Sequence, residues 1–361
     1  MDNRQWRLAR KPLAGLPEDA DFTFVSEPAT EMQPGQALTK TLYLSMDPYQ
    51  WGRRRSGVEA VNDVCHGRTV SQVIASRHPQ YQEGDFVFNT NGWQEYGLVG
   101  EGISEFNYMF ARKLDVDKAP ISTALGVLGM LGLTAYAGIR LLCRPQPGQT
   151  VVISAASGGV GQNAGQIAKI LGARVVGITG NDEKAEFVKS VLGFDECVVH
   201  QQADYQAQLA AACPDGVDAY FENVGGPVFE GVLPLFNDQA SIALCGMISQ
   251  YGEQAQNAGR MHWQAISADL FKQKNIKVHD LFVGNFVQDY QTAFLDEMSD
   301  WVKAGKIKYK EDLWSGLEKA PAAFRALFTG QNFGKTIVSV HDDPTLTETI
   351  RAHRSGVNIL G

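Results

Sequence analysis

Residues 153 to 168 read ISAASGGVGQNAGQIA, an apolar run that bends through glycines into a helix of small residues. Val160, Ala164, Ile167, Ala168 and Leu171 recur at helical spacing, and Gly172 is placed to end the helix before the next apolar run. The same alternation continues to about Ile307. Strands are expected at Thr150–Ile153, Arg174–Ile178, Cys197–Val199, Asp218–Phe221, Ser241–Leu244 and Ile276–Val278, with a helix from Asp182 to Leu192 that carries acidic residues in its first turn. Six strands alternating with helices specify an α/β fold whose six-stranded sheet is parallel and doubly wound.

The rest of the chain has another texture. Residues 1 to 120 break into short alternating segments such as Lys40–Leu44 and Asp85–Phe88, separated by Pro, Gly and Asn turns, as an antiparallel barrel or sandwich requires. At 361 residues the chain exceeds what one core usually serves, so two domains are expected. Their bounds are 1–125 for the β-rich domain and 126–309 for the α/β domain. Residues 335 to 340, KTIVSV, form one more strand returning to the first domain, within a completing segment of about 310–340. An extension, 341–361, follows, with a short helix expected from Thr345 to His353.

Charge and cysteine usage exclude several classes of function. A net charge of -8 disfavours nucleic acid, and the single basic run, Arg53-Arg54-Arg55, is short enough to be a solvated rim. Five scattered cysteines with no CxxC pair read as reduced thiols in a cytoplasmic protein. No apolar core follows the basic N-terminal residues, so secretion is not expected. Residues 124 to 142, ALGVLGMLGLTAYAGIRLL, are long enough to span a bilayer, but four glycines, Thr134 and Arg140 favour a buried helix at a domain junction over a membrane segment.

The glycine turn reads either as a tight strand-to-helix turn or as a seat for a dinucleotide, and its setting favours the second. Ala156-Ser157-Gly158-Gly159-Val160-Gly161 follows an expected strand and opens an expected helix, the setting that makes a GxGxxG variant informative. Gly158 lets the backbone approach a pyrophosphate, Gly161 lets helix and strand pack closely, and the helix N-terminus offers amide donors. Ala156 replaces the first glycine, which is tolerable if its φ stays negative. An NAD site places a carboxylate at the end of the second strand, about 20 residues on, to hold the ribose. Here that strand ends Ile178-Thr179-Gly180. Thr179, Asn181 and above all Lys184 are suited to a 2′-phosphate instead, so the cofactor expected is NADPH, although a helix lysine alone would simply be solvated.

Taken together, LSMDPY (44–49), SRHPQYQEGDFV (76–87), GWQEY (92–96), LGMLGLTAY (128–136), AASGGVG, FENVGG (221–226), CGMISQYG (245–252) and GQNFGKTIV (330–338) resemble, in family order, the medium-chain dehydrogenase/reductase superfamily. Within it the chain is similar to the zinc-independent leukotriene/prostaglandin, alkenal double-bond and curcumin-type reductases. The resemblance implies a GroES-like catalytic domain completed by the C-terminal strand, a Rossmann domain, and a cleft where NADPH and substrate meet. It places Ser157, Gly158, Gly159, Val160 and Gly161 along the pyrophosphate and Lys184 on the 2′-phosphate. Asn223, Cys245, Gly246, Met247, Ile248, Ser249, Tyr251, Phe282, Val283 and Asn332 then lie along the ribose and nicotinamide, and Tyr251 beside the substrate carbonyl. It also implies a homodimer through the Rossmann edge strand. The chain departs from the family at Gln50 and Trp51, at Leu131 in place of a proline, and at His200 in place of a tyrosine.

No set of Cys, His and carboxylate ligands for zinc is evident; Cys65 and His66 read as loop residues. Without a Lewis acid, hydride addition to the β-carbon of an α,β-unsaturated ketone or aldehyde needs less help than alcohol oxidation. The developing enolate oxygen then calls for a neutral donor, for which Tyr251 is the first candidate and Tyr49 the second. Two other readings fit the same residues: an NADPH quinone oxidoreductase, and a non-catalytic NADP-binding sensor or structural protein.

Overall fold

In the computed structural model, which describes residues 1–103, 110–253 and 257–346, the chain divides into two units. One comprises Met1–Gly129 and the chain from Glu311 onward; the other is Met130–Lys310.

The first unit begins with an antiparallel pair, β1 (Asp2–Leu8) and β2 (Phe22–Pro28), in register from Asp2 opposite Pro28 to Leu8 opposite Phe22. The long β3 (Gln36–Ser45) pairs antiparallel with β4 (Thr69–Ser76), and between them lies a single helix, α1 (Tyr49–Ser56). Then come β5 (Phe86–Asn89), β6 (Tyr96–Gly100) and the two-residue β7 (Arg112–Lys113), β6 pairing with β3 and the other two extending the β4 edge. Leu42, Val70, Phe88, Ile121 and Leu125 pack the core of this sheet.

The segment expected as one buried helix over 124–142 is broken. A 3₁₀ turn spans Ile121–Leu125, α2 begins only at Met130 and runs to Tyr136, and Ala137–Cys143 continues as a π-helix. The interruption is made by glycine: a Cβ on Gly129 would lie 2.1 Å from the carbonyl oxygen of Ala124, so the chain bends there in a way other residues forbid. No helix among the described residues is long and apolar enough to cross a membrane.

The second unit holds β8 (Thr150–Ser154), α3 (Gly161–Ile170), β9 (Arg174–Thr179), α4 (Asp182–Ser190), β10 (Glu196–Val199), α5 (Tyr205–Ala212) and β11 (Val217–Glu222). It continues with α6 (Gly226–Val232), β12 (Phe236–Leu244), α7 (Ala258–Lys274), β13 (Lys277–Asp280) and α8 (Gly284–Lys303). All six strands are parallel, in the order β10-β9-β8-β11-β12-β13. The winding reverses between β8 and β11, and the crevice beyond the carboxyl ends of such neighbours is where this topology takes ligands. Two strands differ from expectation by more than one residue at an end. β12 starts five residues early because Gln239, with φ +63°, lets the chain irregularly extend the pairing to Phe236, and β13 runs on to Asp280 to meet Leu244. Val152, Val176, Tyr220, Phe229, Ile242 and Trp263 form the core.

The chain returns to the first sheet through β14 (Glu311–Ser315), α9 (Ala320–Phe328) and β15 (Lys335–Ser339), with β15 antiparallel to β3 and parallel to β14. The helix expected over 345–353 lies, beyond its first two residues, outside the described residues.

Candidate active site

The strand-to-helix turn carries its left-handed residue at Ala155, and Ala156 is not among the residues of positive φ, as its place at the first glycine position requires. The φ of +48° at Ala155 is a conformation that costs an alanine about 1–2 kcal/mol and that the surrounding pairing must hold. Ala156 is fully buried and packs against Gly177, whose added Cβ would come within 2.9 Å of the Ala156 methyl. The substitution of the first glycine is therefore accommodated by a glycine in the neighbouring strand. Gly161 has no such latitude: a Cβ there would stand 2.3 Å from the Ala155 carbonyl oxygen. Gly158 donates to the Ala155 carbonyl at 2.9 Å, and among the described residues no side chain caps the first turn of α3. An uncapped helix N-terminus behind a glycine turn, with Ser157 buried beside it, suits a pyrophosphate.

Three loops meet at the carboxyl ends of β8, β11 and β12, and Glu222 ties them together. Its Oε1 accepts from Ser154 Oγ at 3.2 Å, Tyr220 Oη at 3.0 Å, Val224 N at 2.8 Å and Gly225 N at 3.0 Å. Burial raises its carboxyl above the usual range despite these donors. Asn223 donates through N to Ser154 Oγ and through Nδ2 to the Ser154 carbonyl, both at 2.8 Å. The amides of Cys245 and Gly246 reach the Glu222 carbonyl at 3.0 Å, Ile248 N reaches Asn223 O, and Ser249 N reaches Val224 O at 3.1 Å. The residues expected along the ribose and nicotinamide from 223 to 251 are thus brought beside the glycine turn. Glu222 and Ser154 are the organisers that residue-type reasoning missed; a carboxylate ending the apolar run Asp218–Phe221 was the available signal.

Tyr251 is half-buried on this loop, and its hydroxyl lies 3.1 Å from where a Cβ on Gly246 would stand. Burial and the neighbouring Cys245 push the phenol up to about 12, so it is a neutral donor throughout the working range. Phe282, half exposed, and the buried Val283 follow β13 at the same end of the sheet.

At the end of β9 the expected trio is joined by its own hydrogen bonds. Thr179 is buried and its hydroxyl donates to the Asn181 carbonyl at 3.3 Å, while Asn181 caps α4 by accepting from Lys184 N at 2.9 Å. Lys184 is not a solvated lysine but 8% exposed, and its charge, after burial, depresses the half-buried His200. No carboxylate occupies this strand end, so the residues present fit a phosphorylated ribose better than a bare one.

In the first unit Tyr49 opens α1, and Asn332 lies in the loop before β15 with its Nδ2 donating to the Gly334 carbonyl at 3.3 Å. The arginine run is not a solvated rim. Arg54 is fully buried, pairs with Glu59 at 3.0 Å and sits against the rings of Phe22, Trp93 and Phe324 at 4.5 to 5.3 Å, and Arg55 is buried too. These side chains are spent on packing α1. Among the described residues no group of three or more His, Cys, Asp or Glu side chains is placed to hold a metal ion.

Residues 4–105 match the N-terminal domain of oxidoreductase, and residues 159–300 match the family described as zinc-binding dehydrogenase. The chain is 41% identical over 350 residues to the NADPH-dependent curcumin reductase of Escherichia coli, covering 94% of this chain and 98% of that one. It is 38% identical to the NADP(+)-dependent 2-alkenal reductase of Nicotiana tabacum over 92% of this chain and 96% of the relative. The crystal structure of CurA in complex with NADPH from Vibrio vulnificus superposes with a TM-score of 0.83 at 38% identity, covering 94% of this chain and all of the other. The chain therefore belongs to the medium-chain dehydrogenase/reductase superfamily of oxidoreductases, with a GroES-like β-rich domain and a Rossmann domain, in the branch of the curcumin, alkenal and prostaglandin reductases.

Proposed function

We propose that this protein reduces the carbon–carbon double bond of α,β-unsaturated ketones or aldehydes with NADPH. The observation that carries the reading is Tyr251, a phenol kept neutral on the loop that Glu222 and Asn223 hold against the glycine turn. Gly158–Gly161 and the N-terminus of α3 would hold the pyrophosphate, Lys184 the 2′-phosphate with His200 alongside, and Cys245–Ser249 the ribose and nicotinamide. When bound, NADPH supplies a hydride to the substrate β-carbon.

Negative charge then gathers on the carbonyl oxygen. A donor aimed at that oxygen is worth about 2.7–4 kcal/mol of barrier, and Tyr251 serves as that donor, with Tyr49 as the second hydroxyl meeting substrate. Reductases named for curcumin, alkenals and pulegone among the relatives support the substrate class. The unextended edge β13, with Val278 39% exposed, supports a homodimer, which light scattering of the purified chain tests.

The function is tested by following loss of reduced-nicotinamide absorbance with a panel of medium- and long-chain enones and enals. Turnover is expected, with kcat falling about 10²- to 10³-fold in Tyr251→Phe. NADPH binding with no turnover on any enone or enal would sink the reading. Turnover confined to quinones would make the protein a quinone oxidoreductase.

A further inference from the structure

His66 has no role in the reading above, yet its Nε2 lies 2.8 Å from Tyr49 Oη, with the two rings edge to face at 5.7 Å between centroids. The imidazole is deep, 6% exposed, in the segment leading into β4, whereas Tyr49 is only half-buried at the start of α1. The guanidinium of Arg68 rests 5.7 Å from the centroid of the Tyr49 ring. Arg68 is anchored to Asp47 at 2.7 Å, and Asp47 is anchored in turn to Lys335 of β15 at 2.9 Å. The tyrosine is thus gripped at ring and hydroxyl by side chains that are themselves fixed.

Only one proton fits between Oη and Nε2. With a bare Nε2, the tyrosine spends its proton on the ring and presents lone pairs alone. With a protonated Nε2, the ring donates to Oη and the phenol proton is turned elsewhere. A carbonyl oxygen has nothing but lone pairs, so only the second arrangement can serve it. The doubly protonated ring is disfavoured by burial first, then by Arg53 and Arg54 of α1 and by Arg68; Asp47 opposes them, and the imidazole is pushed down to about 3.

We propose that His66 is a positioning residue for the reduction: by donating Nε2–H to Tyr49 Oη, it holds the hydroxyl and turns its proton toward the substrate carbonyl. This rests on the enone reading and adds to it a residue that never touches substrate.

The experiment combines two measurements on the full chain. Imidazole ¹⁵N NMR should show His66 neutral, with the proton on Nε2, from about pH 6 to pH 8. Steady-state kinetics with 3-penten-2-one and NADPH should show kcat in His66→Leu lowered about tenfold with the KM for NADPH unchanged. His66→Gln, whose amide also donates, should recover most of the rate. The double variant Tyr49→Phe, His66→Leu should be no slower than Tyr49→Phe alone, because the histidine acts only through that hydroxyl. An Nδ1–H tautomer, a charged ring in that range, a wild-type kcat in His66→Leu, or losses that multiply in the double variant would each overturn the proposal. If His66→Leu does not fold, the tautomer and His66→Gln decide. A wild-type enzyme idle on every enone brings down the enone reading and this one with it, whereas a working enzyme indifferent to His66→Leu brings down this one alone.

Discussion

Lys184 carries the proposed cofactor preference. A charge-assisted hydrogen bond contributes about 1.5–3 kcal/mol, so Lys184→Ala should reduce the NADPH/NADH preference in kcat/KM about tenfold or more, and an unchanged ratio would remove the assignment. His200 adds a pH dependence. Burial and the Lys184 charge hold it below the ordinary imidazole value in the free protein. A 2′-phosphate between them would favour its protonated form, so binding takes up a proton. NADPH affinity should therefore tighten as pH falls while NADH affinity stays flat, as calorimetry in buffers of different ionisation enthalpy would reveal. The lysine and the missing carboxylate were legible as residue types at a strand end. That Thr179 would be consumed by the Asn181 carbonyl was not, because a hydroxyl satisfies whichever acceptor the fold puts nearest.

The strand, turn and helix from Thr150 to Ile170 behave as one element, and its glycines differ in their tolerance. Gly161→Val would drive a branched side chain into the Ala155 carbonyl. The expected result is a loss of about 1–3 kcal/mol in denaturant unfolding together with weakened NADPH binding. Stability and binding equal to wild type would show that the turn has more room than its geometry gives it. This element could be read from the chain because its strand, glycine turn and helix spacing are set by neighbouring residues, although Ser154 and the α3 glutamines Gln162 and Gln166 also bond to residues far along the chain. The 124–142 segment could not, since apolar periodicity records which face is buried but not where a glycine lets the backbone leave the helix.

Asp47, just before α1, is paired with Arg68, just before β4, and with Lys335 of β15, which stands 288 residues further on. Asp47→Asn leaves two buried cations without their carboxylate, and about 3–5 kcal/mol of unfolding free energy should be lost. The wild-type protein should show the corresponding acid sensitivity. Burial alone would raise the Asp47 carboxyl, but Arg68, Lys335 and Ser45 hold it well below the usual range. Its contribution is therefore complete above the unfolded value near 3.9 and drains away as pH falls below it, so the Asp47→Asn curve should be flatter over that acid limb. From the chain alone came the parallel sheet, the glycine turn and the absence of an acid at the second strand end, because periodicity, turn chemistry and strand-end residues act within about 30 residues. Tertiary structure decided that Arg54 is buried among aromatics, that His66 meets Tyr49 and that Lys335 answers Asp47. A charged or polar side chain in a loop is neither buried nor paired until segments distant in sequence close around it, and the cost of desolvating it then selects its partner.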